Sequence, residues 1–352
     1  MENDIKNEGK SLPVIENGDA SKNDADPATD GLSKQEIRRR ERAIKASKRM
    51  FRSVDILLDF AMNSCPYIND KNKDTIECTK DVVYDEKLLD ICRFDVYSVP
   101  TEKAQPAVIL IHGGGFSAGG KAYRRGHAQF LAINGFTVFC VDYGLAPDYK
   151  FPEPISHLVT AANFIYDHAS EYNIDTNRIM VGGDSAGAYY SAMLAVLNCC
   201  DDYKKQFGFE LKFRVFGALL VCGLYDLQTV LKTKYLLDLD DGVFLGFTGL
   251  SRSDIEEKGY RYRDYMLPYE FINEKFPPTF VIHSNTDIFC KDQGKVLVEK
   301  LDKLGVYCES YVARHFASNH CFSLNWRGED AVAANELMIS FAKRLANDKI
   351  KF

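Results

Sequence analysis

The sequence predicts an α/β fold: a mostly parallel central sheet with helices on both faces and a helical lid over one rim. Three observations carry this. Short, continuously apolar runs at 107–111, 137–141, 179–181, 215–222 and 278–282 have the length of strands buried on both faces. Helix-length segments separate them, the order that gives a parallel sheet. Several runs lead into glycine-rich or polar loops, which parallel strands place on one carboxyl rim, where residues distant in sequence meet.

Composition narrows the function classes. The 352 residues are 46% hydrophobic, enough for a large core, and the formal net charge of −6 argues against a general nucleic-acid binder. Ten cysteines are scattered, several within apolar runs, and none forms a close Cys/His cluster at structural-zinc spacing. Free buried thiols, no metal and no cofactor are expected. No apolar run is long enough to cross a membrane, so no stable membrane insertion is predicted. The start at Glu2, Asn3 and Asp4 has no basic leader or apolar core, and a cytoplasmic location is expected. A homodimer is left open.

In chain order, residues 1–31 are polar and predict a disordered tail. Residues 32–79 form a helical lid or linker region. Ser33 and Glu36 have capping-box spacing, and the helix that they open runs to about Met62. Its first half carries Arg38, Arg39, Arg40, Arg42, Lys45, Lys48, Arg49 and Arg52, and its second half is apolar. A solvated basic face is the expectation, with a membrane or an acidic partner as the alternative. The main domain is assigned to 80–352, with a lid insertion at about 228–268. Residues 93–99 alternate as an antiparallel edge strand should, and 107–111 is central. After 107–111 comes His112-Gly113-Gly114-Gly115-Phe116, whose glycines bare backbone N–H groups able to cradle an oxyanion. Phosphate fits less well, because no Gly-Lys-Ser/Thr follows. Asp142, at the end of the 137–141 strand, pins its own loop.

The stretch Gly183-Asp184-Ser185-Ala186-Gly187 follows the next strand and opens a helix. Glycine two before and two after the serine leaves room for a sharp turn that exposes the hydroxyl. A serine nucleophile needs a base, an acid to orient the base, and oxyanion donors. Asp287 stands just beyond the 278–283 strand, and His320 lies in the loop before the terminal helix. Asp226 and Asp292 are rival acids, while His315 is a loop or pocket residue. Between Asp226 and Tyr269 the strand–helix rhythm breaks. Phe244, Leu245, Phe247, Tyr260, Tyr262, Tyr265 and Met266 there suit either a substrate pocket or the lid's own core. This lid shows no long continuous apolar face of the kind a lipid interface favours.

With these residues in this order, the chain from about 80 to 347 resembles the α/β-hydrolase superfamily, in the hormone-sensitive-lipase-like branch of carboxylesterases that includes bacterial acetyl esterases. The resemblance implies a lid-bearing α/β-hydrolase fold and a serine carboxylesterase working on small-molecule, short-chain acyl esters without a cofactor. It implies Ser185 as nucleophile, Asp287 and His320 as acid and base, and Gly113, Gly114, Gly115 and Ala186 as the oxyanion hole. Phe116, Asp184, Phe244 and Phe247 are expected at the substrate. Alternatives are a carbohydrate or xenobiotic O-deacetylase, or an amidase, with the same triad, or a catalytically silent small-ligand receptor. Gly144 stands where relatives commonly have arginine and His157 near a common acid, which implies loss of an ion pair behind the oxyanion loop.

Overall fold

The computed structural model describes residues 32–233, 239–258 and 262–350. Its sheet has eight strands in the order β1-β2-β4-β3-β5-β6-β7-β8. These are β1 Glu77–Val83, β2 Arg93–Ser98, β3 Gln105–Ile111, β4 Thr137–Val141, β5 Ile174–Asp184, β6 Gly217–Val221, β7 Thr279–Ser284 and β8 Cys308–Ala313. Pairing is antiparallel at β1–β2 and β2–β4, and parallel from β4 to β8. This is the architecture of an α/β-hydrolase.

Period-two alternation sends each central strand into both layers. Ile109 and Ile111 of β3, with Phe139 and Val141 of β4, join one buried cluster, while Val108, Val138 and Cys140 join the other. Helices α3 (Glu153–Asp167) and α4 (Ala186–Cys199) fill the first layer with residues such as Leu158 and Leu194. Helices α2 (Arg125–Ile133) and α10 (Glu329–Ala346) fill the second with Leu131 and Phe341. Helix α9 (Gln293–Lys303) closes the β7–β8 crossover.

Two expectations need correcting. Residues 93–99 are not the edge: β1 lies outside β2. The first five residues of β1 are exposed, so it carries no apolar alternation that would mark it, whereas β2 has four consecutive buried residues. Helix α5 (Asp201–Phe207) went unforeseen; Tyr203 and Phe207, one turn apart, are its buried anchors, and Gly208 ends it at φ +66°.

Helix α1 spans Lys34–Asn63, and its start is capped as the spacing predicts, with the Glu36 amide donating to Ser33 Oγ at 3.2 Å. At the far end Trp326 Nε1 donates to the Met62 carbonyl at 2.8 Å, and the Gly126 amide donates to Asn63 Oδ1 at 2.9 Å. Midway, α1 crosses α7 (Leu239–Thr248), where a Cβ on Gly242 would sit 2.7 Å from the Ala43 carbonyl oxygen. Helices α6 (Leu227–Lys232), α7 and α8 (Arg252–Lys258) lie in the insertion between β6 and β7, followed by short 3-10 turns at Arg263–Tyr265 and Pro268–Phe271.

Candidate active site

Ser185 sits between β5 and α4 at φ 52°, ψ −119°, a conformation that costs a non-glycine residue and persists only where its surroundings hold it. They do so closely. A Cβ on Gly183 would lie 2.4 Å from the Ile111 carbonyl oxygen, and one on Gly187 2.0 Å from the same atom. The glycines flanking the serine therefore let α4 begin against the end of β3. The Ser185 amide donates to the Val221 carbonyl at 2.8 Å, fixing the turn to β6.

The last two strand-end loops bring a base and an acid to this serine. His320 Nε2 lies 2.9 Å from Ser185 Oγ, and His320 Nδ1 lies 3.0 Å from both Oδ1 and Oδ2 of Asp287. Asp287 Oδ1 also accepts the amides of Phe289 at 2.8 Å and Cys290 at 2.7 Å. Burial pushes the Asp287 carboxyl up, but the imidazole and these amides outweigh it and hold the pKa below the ordinary value. The rival acids are elsewhere. Asp226 caps α6 by accepting the Thr229 amide at 2.7 Å, and Asp292 precedes α9 with no side-chain cap bond. His315 accepts the Ala317 amide at 3.3 Å in its own exposed loop.

Asn319 was not foreseen. Its Oδ1 accepts the amides of His320 at 2.8 Å and Ile288 at 3.2 Å, and its Nδ2 donates to the Thr286 carbonyl at 2.6 Å. It thus clasps the acid loop to the histidine loop. An amide side chain directly before the histidine was the only available signal, and it names no partner.

The glycine loop after β3 is held from below. Tyr143 Oη donates to the His112 carbonyl at 2.8 Å, and its ring stacks on the His112 ring at 4.5 Å. Burial lowers the His112 pKa to about 4, so the neutral ring can donate from Nδ1 to the Gly113 carbonyl at 2.8 Å. Asp142, expected to pin its own loop, instead ties a different one: its Oδ1 accepts the Lys121 amide at 2.7 Å. Gly114, Gly115 and Phe116 all have positive φ, at 131°, 58° and 63°. Among the described residues the Gly114 and Gly115 amides meet no protein acceptor, and Ala186, the first residue of α4, has one of the helix's free amides. Gly113 is pressed against the elbow, where a Cβ would sit 2.4 Å from Asp184 Oδ2.

Asp184 departs from expectation. Expected at the substrate, it is 4% exposed and faces away from the cavity. Arg124 grips it with Nε on Oδ1 at 2.5 Å and Nη2 on Oδ2 at 2.7 Å, a bidentate pair directly behind the nucleophile. Burial alone would raise the Asp184 pKa, but Arg124 keeps it low. The expected loss of an ion pair near Gly144 also takes a definite form. Burial lowers the His157 pKa to about 4, and the neutral ring accepts the Gly144 amide on Nδ1 at 3.1 Å.

Arg124 meets a second acid, Asp55 of α1, at 3.7 Å. Burial, with the Asp184 charge adding to it, raises the Asp55 pKa from 3.8 to about 6 against the pull of Arg124, and Asp55 Oδ2 has no hydrogen-bond partner. A raised carboxyl pKa supports folding fully below pH 3.8, and that support is lost as pH rises through about 6. Asp55→Asn should therefore gain stability over the parent between about pH 4.5 and pH 7.5. Urea midpoints at the two pH values check this; a difference that does not grow with pH refutes it.

A cavity of about 90 Å³ opens beside Ser185 Oγ. Phe116, Phe244, Phe247 and Met266 line it, and Phe51 of α1 and Phe289 of the acid loop close another side with rings 5.6 Å apart. Phe116 and Phe247 stack at 4.2 Å. Tyr262 and Tyr265 instead pack on Phe207, so the lid aromatics divide between pocket wall and lid core, while Tyr260 lies outside the described residues. Two donor sets could hold a metal, Cys222–His320–Cys321 and Asp287–Cys290–His320. Both need His320, whose ring nitrogens already face Asp287 and Ser185, so an ion there would compete with the serine–histidine contact. No helix among the described residues is long and apolar enough to cross a membrane.

A family profile described as BD-FAE matches residues 94–301, more than half of the chain. A putative alpha/beta hydrolase of Acanthamoeba polyphaga mimivirus is 26% identical over 235 residues, covering 62% of this chain and 61% of its own. An acetyl esterase of Salmonella paratyphi A is 29% identical over 221 residues, with 60% and 64% covered. The chain thus spans a little over six-tenths of these relatives' lengths. Among solved structures, an inhibited esterase B of Lactobacillus rhamnosis superposes with a TM-score of 0.70 at 19% identity over 87% of this chain and 98% of that one. A bacterial heroin esterase gives 0.66 at 22% identity over 84% and 90%. These structural likenesses concern the fold, and the match through the elbow and the lid carries the kinship: the chain belongs to the BD-FAE family within the α/β-hydrolase superfamily.

Proposed function

We propose that the protein is a serine carboxylesterase that cleaves short-chain acyl esters through an acyl-enzyme. The observation that carries this is the unbroken hydrogen-bond chain that starts at Ser185 on the wall of an apolar cavity and runs through His320 to Asp287. His320 Nε2 takes the serine proton as Oγ attacks the ester carbonyl. Asp287 holds the Nδ1–H tautomer and stabilises the imidazolium that forms. The tetrahedral oxyanion is received by the amides of Gly114, Gly115 and Ala186. His320 then protonates the leaving alcohol and activates the water that releases the acid. The name acetyl esterase on a 29%-identical relative supports the same chemistry. The cavity wall favours a simple acyl group over a sugar, because apart from the serine its side chains are apolar. The complete triad tells against a silent receptor.

Acyl length tests the assignment. Each accommodated methylene contributes about 0.8 kcal/mol by burial, until longer chains must displace packed aromatic rings. Activity on soluble p-nitrophenyl esters should rise from acetyl to butyryl and fall by decanoyl. Phe51→Ala, which removes the ring between Gly115 and Phe289, should move the maximum to longer chains. A parent maximum at decanoyl or beyond would defeat the short-acyl assignment; a large preference for an acetylated sugar would transfer the triad to carbohydrate deacetylation.

A further inference from the structure

Helix α1 has a second, outward face that the hydrolytic site does not use. Positions 38, 42, 45, 49, 52, 56 and 60 recur at three- and four-residue steps and so form one stripe along the helix. Arg38, Arg42, Lys45, Arg49 and Arg52 are exposed, and among the described residues none has an ion-pair partner. The stripe then turns apolar without turning inward. Ile56 is 57% exposed, Phe60 73%, and their neighbour Leu57 79%. Nine basic and four acidic side chains lie on α1, in a protein whose net charge is −6.

We propose that this face docks the protein on an anionic lipid surface, with Ile56, Leu57 and Phe60 entering the headgroup layer and the basic half lying along the lipid phosphates. Charge complementarity favours this occupant. The cations are spread over some four helical turns with no groove between them, an arrangement suited to mobile lipid headgroups more than to a shaped acidic protein. An interfacial helix combines such a basic stretch with large apolar side chains, and it lies on the bilayer rather than crossing it. The face absent from the lid is thus supplied by α1. Its inward side carries Phe51 on the cavity wall, and the cavity is also bordered by Ile288, which is 49% exposed. Docking therefore sets the cavity beside the lipid surface and suits acyl esters that partition there. Only this substrate consequence rests on the esterase assignment.

Flotation of the full chain with vesicles tests the docking. Residues 1–31 hold eight acidic and three basic side chains, a net charge opposite to that of the basic stripe, so the test uses the full chain. The protein should float with phosphatidylcholine vesicles containing about one-third phosphatidylserine, and at least roughly tenfold less with phosphatidylcholine alone or in about 0.5 M salt. Leu57→Glu with Phe60→Glu, and separately Arg42→Glu with Lys45→Glu and Arg49→Glu, should each cut binding roughly tenfold or more. Both should keep turnover of a soluble butyryl ester within about twofold of the parent. No flotation on anionic vesicles, or flotation unchanged by either set, overturns the proposal. So does binding to polyglutamate without vesicle binding, or a dimer that Leu57→Glu with Phe60→Glu dissolves while vesicles are ignored. Flotation without any ester turnover would leave docking in place and sink the esterase assignment.

Discussion

Ser185→Ala should lower turnover of p-nitrophenyl butyrate by a factor on the order of 10⁴ to 10⁶, leaving only what the oxyanion donors and substrate binding supply. The structural cost should be small. Ser185 anchors its turn through backbone groups, the amide to Val221 and the carbonyl to the Tyr189 amide at 3.1 Å, and alanine retains both. The hydroxyl's own contact is His320. An unchanged circular-dichroism spectrum with turnover lost is the expected pair of results. Turnover above about a tenth of the parent would remove Ser185 from the nucleophile's role.

Asp287→Asn should be nearly as severe, about 10⁴-fold in kcat with KM little changed. The reason is local. Oδ1 is held by two amide donors, from Phe289 and Cys290, so an asparagine places its carbonyl oxygen there and turns its NH₂ toward His320 Nδ1. That nitrogen must then accept, which moves the ring proton to Nε2, where it can no longer take a proton from Ser185. Asp226→Asn should leave turnover nearly intact, at a stability cost within about 1 kcal/mol from a weakened helix cap. A larger kcat loss in Asp226→Asn than in Asp287→Asn would reassign the acid.

Much of the site was legible because its requirements are local in the chain. A serine between two glycines at a strand end announces a tight turn, and Asp287 and His320 each follow a recognisable apolar run. Asp184 was misread for another reason. It belongs to a sequence motif that suggested substrate contact, yet it spends its carboxylate on Arg124, sixty residues upstream. Phe51 stood unremarked in the basic first half of α1, because periodicity cannot say which side of a helix meets which cavity. β1 escaped notice because an edge strand with solvent on most of its side chains has no hydrophobic pattern to display.

The sequence by itself determined the alternation of strands and helices, the strand-end placement of Ser185, Asp287 and His320, and the capped start of α1, since each follows from backbone propensity and hydrophobic period within a few residues. Only the tertiary structure decided that α1 folds back over the site with Phe51 inward and Leu57 and Phe60 outward, and that Arg124 neutralises Asp184 behind the nucleophile. It also decided that neutral His157 holds the Gly144 amide. Those outcomes depend on which distant surfaces exclude water from one another, and the balance of desolvation against pairing at a buried charge exists only once those surfaces have met.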